Sequence, residues 1–206
     1  GCRAVLDALG ITTIADPRFE ADDLIGSILK QARALGMRGL IVSADKDLSQ
    51  LLQSDDEQWD YARQMRWNAS GVFERYGVHA HQIADYLGLA GDAVDNIPGV
   101  PGIGSKTAAA LLAHFGSLDA LLQRLDELPY LRIRGAASHA RRIAEHHEAA
   151  LLSRELATIC CEADLPRTLS LRPRPADATR LQFLCEQLRI GPLTRRRLIQ
   201  WSGATT

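Results

Sequence analysis

Long apolar runs are missing from this chain of 206 residues. None approaches the about 18 residues that a helix needs to cross a bilayer, so no membrane span is expected. The opening Gly1-Cys2-Arg3-Ala4-Val5 has no apolar core of the kind a secretion signal carries. Cysteine is scarce. Cys2, Cys160, Cys161 and Cys185 show neither metal-ligand nor disulfide spacing, and the adjacent pair lies in a helical stretch where it cannot easily close on itself. Reduced thiols and a cytoplasmic location are the expectation. Internal repeats and low-complexity tracts are lacking too, and lysine is absent after Lys106.

What is present is ordinary globular composition, 46% hydrophobic and 24% charged, enough for a packed core in one domain, or in one domain with a small appendage. The net charge of −1 says little, but its distribution says more. Residues 1–120 hold 10 Lys/Arg against 16 Asp/Glu, a net −6; residues 121–206 hold 14 Arg against 9 Asp/Glu, a net +5. An acidic centre early and a basic surface late fit that asymmetry, as would a plain solvated surface.

Apolar residues at 21, 24, 25, 28, 29 and 32 predict an amphipathic helix over 21–35, closed by Gly36. Gly39-Leu40-Ile41-Val42-Ser43 then reads as a buried parallel strand, and 47–53 as a short helix. Weak alternation around Trp59–Tyr61 and Met65–Trp67 fits a hairpin. Beyond Ser70 the pattern is helical: 70–76, 81–88, 105–115, 117–124, 136–161 (one helix or two), 177–189 and 193–201, with a proline-bearing extended stretch over 164–176. The fold class is therefore an α/β part followed by an all-α part. One firm strand does not make a sheet, so further strands are expected ahead of Gly1.

Seven acidic residues fall into three groups: Glu20, Asp22 and Asp23 at a helix start, Asp45 and Asp47 after the strand, Asp92 and Asp95 before a Pro/Gly turn. Each has a plainer reading, as helix-end acids or loop acids. Together they make a stronger case. Carboxylates held close repel one another unless cations intervene. Hard oxygen donors select Mg²⁺ or Mn²⁺, and a pair of such ions serves phosphoryl displacement. Positions at the carboxyl end of a strand suit a site in an open α/β sheet.

The segment Ile97-Pro98-Gly99-Val100-Pro101-Gly102-Ile103-Gly104-Ser105-Lys106-Thr107-Ala108 leads into an apolar helix. Its glycines let the main chain approach a ligand closely, Ser105 is placed to cap the helix, and Lys106 adds a point charge. This is helix–hairpin–helix chemistry, in which amides grip a DNA backbone without reading sequence. A purely structural turn is the alternative. A phosphate-binding loop of the G-x-x-x-x-G-K-[ST] type is not matched.

Phe19-Glu20-Ala21-Asp22-Asp23, Ser43-Ala44-Asp45-Lys46-Asp47-Leu48 and the run Gly91 to Ala108, in that order, resemble the 5′→3′ exonuclease/flap endonuclease family, the nuclease domain of bacterial DNA polymerase I and its stand-alone relatives, over about residues 5–160. The resemblance implies a PIN-like parallel-sheet part, incomplete here, followed by a helix–hairpin–helix part. The expected regions are 1–68 (nuclease core), 69–165 (DNA-binding helices) and 166–206 (linker and terminal helices). It implies catalytic Glu20, Asp22, Asp23, Asp45 and Lys46, and a second acidic group of Asp47, Asp92 and Asp95, the seven carboxylates holding two Mg²⁺ or Mn²⁺ ions. Gly99, Gly102, Gly104, Ser105, Lys106 and Thr107 are the expected contacts to duplex or flapped DNA, and the main chain of Leu89, Ala90, Pro98, Val100 and Ile103 the expected K⁺ ligands. The family's first strands, with two further aspartates and a basic helical arch, have no counterpart in this sequence. The chain alone is therefore expected to be an inactive, monomeric piece, and the stand-alone type is favoured because nothing polymerase-like follows. Two other readings stay open: a non-catalytic duplex-binding module, and a Toprim-like phosphoryl-transfer domain, against which Asp22-Asp23 and the hairpin argue.

Overall fold

The structure, a computed structural model, describes residues 1–166 and 169–203. They form two compact units, residues 1–24 with 163–206 and residues 25–162.

The smaller unit contains α1 (Cys2–Ala8) and two helices from the chain's far end. It also holds the first turn of α2 (Ala21–Ala34), whose remainder belongs to the larger unit. The core of the smaller unit is Val5, Ala8, Leu181 and Cys185, with Leu9, Leu184, Ile190 and Leu198 packed around them. Asp7 receives hydrogen bonds from Arg174 (2.8 Å) and Arg180 (2.7 Å), and the Asp177 amide donates to the Ala8 carbonyl. The proline-bearing stretch thus returns to the turn after α1.

After the remainder of α2, the larger unit has a three-stranded sheet in the order β1-β2-β3: β1 (Leu40–Val42), β2 (Glu57–Asp60) and β3 (Met65–Asn68). β1 runs parallel to β2 with Ile41 opposite Gln58, and β2 antiparallel to β3 with Gln58 opposite Trp67. The expected hairpin is therefore present and supplies the partners that the single firm strand needed. The expectation of a fully buried β1 is corrected. Ile41 is 5% exposed, whereas Leu40 and Val42 are 48% and 57% exposed. Only one face of this edge strand packs on helices.

Helices α3 (Ala69–Tyr76), α4 (Ile83–Ala90), α5 (Ser105–Phe115), α6 (Leu118–Gln123), α7 (Ala136–Glu145) and α8 (His147–Ala157) follow. The 136–161 pattern resolves into two helices broken at His146. Asn68 caps α3 by accepting the Gly71 amide at 3.0 Å, and Ser117 caps α6 the same way. Leu87, Leu89, Leu111, Leu112, Leu118, Leu121, Leu128 and Ile143 are essentially inaccessible to solvent and form the centre of the core. The far end of the chain carries α9 (Ala178–Gln187) and α10 (Pro192–Trp201), near the predicted bounds.

Candidate metal centre and DNA-contacting hairpin

Because β1 and β2 are parallel, their carboxyl ends lie at the same edge of the sheet. The last ladder bond runs from the Ser43 amide to the Trp59 carbonyl at 3.1 Å, and the chain then leaves the sheet carrying Asp45, Lys46 and Asp47. Asp45 is exposed, and its Oδ1 accepts the Asp47 amide at 3.0 Å. Asp47 opens a 3₁₀ turn (Asp47–Leu51) anchored by buried Leu48 and Leu51.

Asp92 and Asp95 arrive from the tight loop after α4. Asp92 and Ile97 exchange two backbone hydrogen bonds of 2.8 Å, and Asp92 Oδ1 accepts the Val94 amide at 2.9 Å. Oxygen atoms of Asp47, Asp92 and Asp95 come within 4.8 Å of one another. Lys46 Nζ ion-pairs with Asp92 Oδ2. One oxygen of Asp47, Oδ1, is buried without a hydrogen-bond partner.

The electrostatics follow from that crowding. Burial first, then the charges of Asp45, Asp95 and Asp92, push Asp47 up to about 7, with Lys46 only partly offsetting them. Burial and the Asp92 charge raise Asp95 as well. Burial opposes charge on Asp92, but hydrogen bonds from Lys46 and the Val94 amide outweigh it and hold its carboxyl below the ordinary range. Burial likewise disfavours the Lys46 ammonium, and the surrounding carboxylates more than compensate. Three acidic side chains thus face a single neutralising lysine. The donor set is all hard oxygen and leaves one buried oxygen orphaned, so it fits a divalent cation such as Mg²⁺ or Mn²⁺.

Of the other acidic group, Asp22 and Asp23 sit in the first turn of α2, where acids favour the helix dipole, and Glu20 immediately precedes the helix. Asp23 Oδ2 accepts the Glu20 amide at 3.2 Å.

In the hairpin, Val100 and Ile103 are core residues at 2% and 3% exposure, so the turn is pinned from below. Gly99 is buried and has φ +60°. A Cβ there would lie 2.3 Å from the Gly91 nitrogen, and its amide donates to the buried Ser153 hydroxyl on α8 at 3.0 Å. Gly99 therefore shapes the turn and does not face solvent. Gly102, Gly104, Ser105 and Lys106 are exposed and Thr107 partly so. Gly104, not Ser105, is the N-cap of α5, and Ser105 is its first helical residue, so the expected side-chain cap is corrected as well. Gly102 has φ +80°, and the Arg142 guanidinium of α7 lies over it, 1.6 Å from where a Cβ would stand. Of the five carbonyls matched to K⁺ ligands, that of Leu89 accepts the Val100 amide (2.9 Å) and that of Val100 the Ile103 amide (3.0 Å).

Sequence reasoning missed Gln58, Ser49, Ser153 and Arg142. The first two were legible only as polar residues in an apolar context, and the last two lay within helical patterns with no local signal.

A carboxylate-lined sheet edge and a glycine hairpin thus stand on one chain of α/β and helical parts. Comparison with known proteins gives its family. Residues 1–77 match the 5′-3′ exonuclease N-terminal resolvase-like domain and residues 78–179 the 5′-3′ exonuclease C-terminal SAM fold. The chain belongs to the 5′-3′ exonuclease family. It is 37% identical over 200 residues to DNA polymerase I of Mycobacterium tuberculosis, covering 94% of this chain and 21% of that protein. With DNA polymerase I of Pseudomonas aeruginosa it shares 40% over 163 residues, 79% of this chain and 18% of the polymerase. The chain thus spans about a fifth of the length of these relatives. Among solved structures it shares the fold of T5 5′-exonuclease bound to zinc, with TM-score 0.63, 19% identity and coverage of 95% of this chain and 63% of that one. The catalytic core of Rad2 in complex with DNA substrate also gives TM-score 0.63, at 15% identity, with 96% and 66% covered.

Proposed function

We propose that this chain is the nuclease part of a divalent-metal-dependent 5′→3′ exonuclease and 5′-flap endonuclease that hydrolyses DNA phosphodiesters in replication or repair. The convergence of Asp47, Asp92 and Asp95, with a buried Asp47 oxygen that has no partner, carries the reading. Asp45, Asp47, Asp92 and Asp95 hold Mg²⁺ or Mn²⁺, and the family resemblance adds Glu20, Asp22 and Asp23 as further metal-binding carboxylates. Bound divalent ions would supply Lewis-acid stabilisation of the charge developing on the attacking and leaving oxygens of the phosphodiester. Lys46 balances the acidic group when no ion is bound and offers its ammonium to the phosphate otherwise. The deciding experiment uses the natural full-length protein on a labelled 5′-flap duplex, with Mg²⁺ and with chelator. Asp92→Asn/Asp95→Asn should cleave more slowly and require about tenfold more Mg²⁺, with duplex binding little changed. Binding without any metal-dependent cleavage would favour the non-catalytic module instead.

The hairpin supplies the grip on duplex backbone, through exposed amides and Lys106, with K⁺ held by the carbonyls of Leu89, Ala90, Pro98, Val100 and Ile103. Setting aside the seven clustered carboxylates leaves the chain at +6, mostly beyond residue 120. Lys106→Ala is expected to lower affinity equally for all duplex sequences and to flatten the log–log slope of affinity against salt by less than about one. Gly102→Val does more, about tenfold or greater, because a branched residue is strained at φ +80° and its Cβ displaces Arg142. Fluorescence anisotropy on a blunt duplex, with melting curves alongside, checks both. A Gly102→Val protein that melts earlier yet binds normally would make the hairpin a structural turn only.

A further inference from the structure

The face of the sheet turned to the core presents Ile41, Gln58 and Trp67 in one row across β1, β2 and β3. Two are apolar core residues, and the third, on the central strand, is an amide at 0% exposure. A buried amide is tolerated only when its groups are satisfied, and here they are. Gln58 Nε2 donates to the Ser43 carbonyl at 3.1 Å and to the Asp45 carbonyl. Gln58 Oε1 accepts the Ser49 hydroxyl at 2.8 Å. The Ser49 oxygen in turn accepts the Trp67 indole N–H at 3.1 Å. This chemistry fixes the amide's orientation, since the reverse flip would set its oxygen against two carbonyl oxygens.

The two carbonyls belong to the segment that leaves β1 and carries the acidic residues. Ser43 makes the last ladder bond. Asp45 follows two residues on, and its carboxylate holds the Asp47 amide. Among the described residues no ladder fastens this segment beyond Ser43. Its backbone is fastened to the sheet by Gln58, whose own position is set by Ser49 and Trp67.

We propose that Gln58, braced by Ser49 and Trp67, is a positioning residue that holds the Asp45–Asp47 segment in ion-binding geometry. It touches neither substrate nor ion and acts through the main chain of Ser43 and Asp45. Without it, the mutual repulsion of Asp45, Asp47, Asp92 and Asp95 is free to spread the ligands, and ion affinity falls while the hairpin's grip on duplex is untouched. This inference rests on the nuclease reading.

The test uses the natural full-length protein and Gln58→Met, which keeps the length of the side chain and removes every donor. Expected are a cooperative melt near that of the wild type, a tenfold or greater rise in the Mg²⁺ concentration for half-maximal flap cleavage, and duplex affinity within twofold. Faster hydrogen exchange is expected at the Asp45 and Asp47 amides. Trp67→Phe, which removes only the outermost donor, should shift the Mg²⁺ midpoint no more than about threefold. A folded Gln58→Met protein with the wild-type midpoint and wild-type exchange overturns the proposal. If Gln58→Met fails to fold, Ser49→Ala decides by the same two readouts: a raised midpoint with faster exchange supports the role, and wild-type values remove it. Should the wild type cleave no flap in any divalent ion, the nuclease reading fails. Amide exchange and Mn²⁺ binding by calorimetry would still decide what Gln58 does.

Discussion

Asp45→Asn in the natural full-length protein is expected to reduce Mg²⁺-dependent flap cleavage by about 10³-fold or more, with duplex affinity within about twofold of wild type. The substitution is informative because of what it leaves in place. Asp45 Oδ1 accepts the Asp47 amide, and an asparagine keeps an oxygen there, so the turn survives and only the charge is lost. Removing one carboxylate from an ion site that stabilises the transition state by several kcal/mol costs about three decades in rate, at about 1.36 kcal/mol per decade. Asp23→Asn is the companion case, since Asp23 Oδ2 accepts the Glu20 amide and asparagine can do the same. Single-turnover cleavage and anisotropy on the same substrate read out both quantities. Wild-type turnover in either variant would take that residue out of the site.

The second large effect concerns pH. Asp47 sits at about 7 in the folded chain against an ordinary 3.8, so the fold binds its proton more tightly than the unfolded chain does. The stability tied to that proton is present below about pH 4 and is lost as pH rises through 7. The metal-free protein should therefore melt at a lower temperature at pH 8 than at pH 5. The contribution is about 2 kcal/mol after allowance for solvent around the half-buried side chain, worth a few degrees. Asp92, held below the ordinary range, is ionised throughout that window and drops out of the comparison. Asp47→Asn removes the penalty, so the chelated variant should melt above wild type at pH 8 while binding Mg²⁺ far more weakly. Proton and ion compete for the same oxygens. Mg²⁺ affinity should thus climb up to about tenfold per pH unit below 7 and level off above. Melting curves in chelator and calorimetric titrations at pH 5, 6, 7 and 8 test this. A metal-free melting temperature that does not fall between pH 5 and 8 would contradict it.

Much of this was legible in the sequence, for identifiable reasons. Helix α2 announces itself by six apolar residues at helical spacing and α5 by the glycines ahead of it, and local signals of this kind survive folding. The acidic groups were legible as clusters, but their chemistry was not. Asp47's orphaned oxygen and its pairing with Asp92 and Asp95 depend on contacts 45 and more positions away along the chain. The hairpin of β2 and β3 was foreseen with the wrong emphasis. Trp59 is the conspicuous residue of β2, yet on that strand Gln58 and Asp60 are the buried ones. Strand faces alternate, so which face is covered decides everything about such a segment, and a polar residue satisfied by distant carbonyls defeats any hydrophobicity pattern. The packing of Gly99 was hidden for a related reason: a Cβ there would meet the backbone of Gly91, eight positions earlier.

The seating of the hairpin on Ser153, Val100 and Ile103 has a thermodynamic corollary. A loop whose apolar side chains already fill the core and whose turn amide is already spoken for has surrendered its conformational freedom during folding. On the proposed reading, little ordering entropy would be left to be lost when a phosphate backbone arrives, and association would draw on electrostatics and released counterions. Such a surface would meet every duplex in the same shape. The proposed indifference to sequence would then be a property of rigidity as much as of the absence of base contacts.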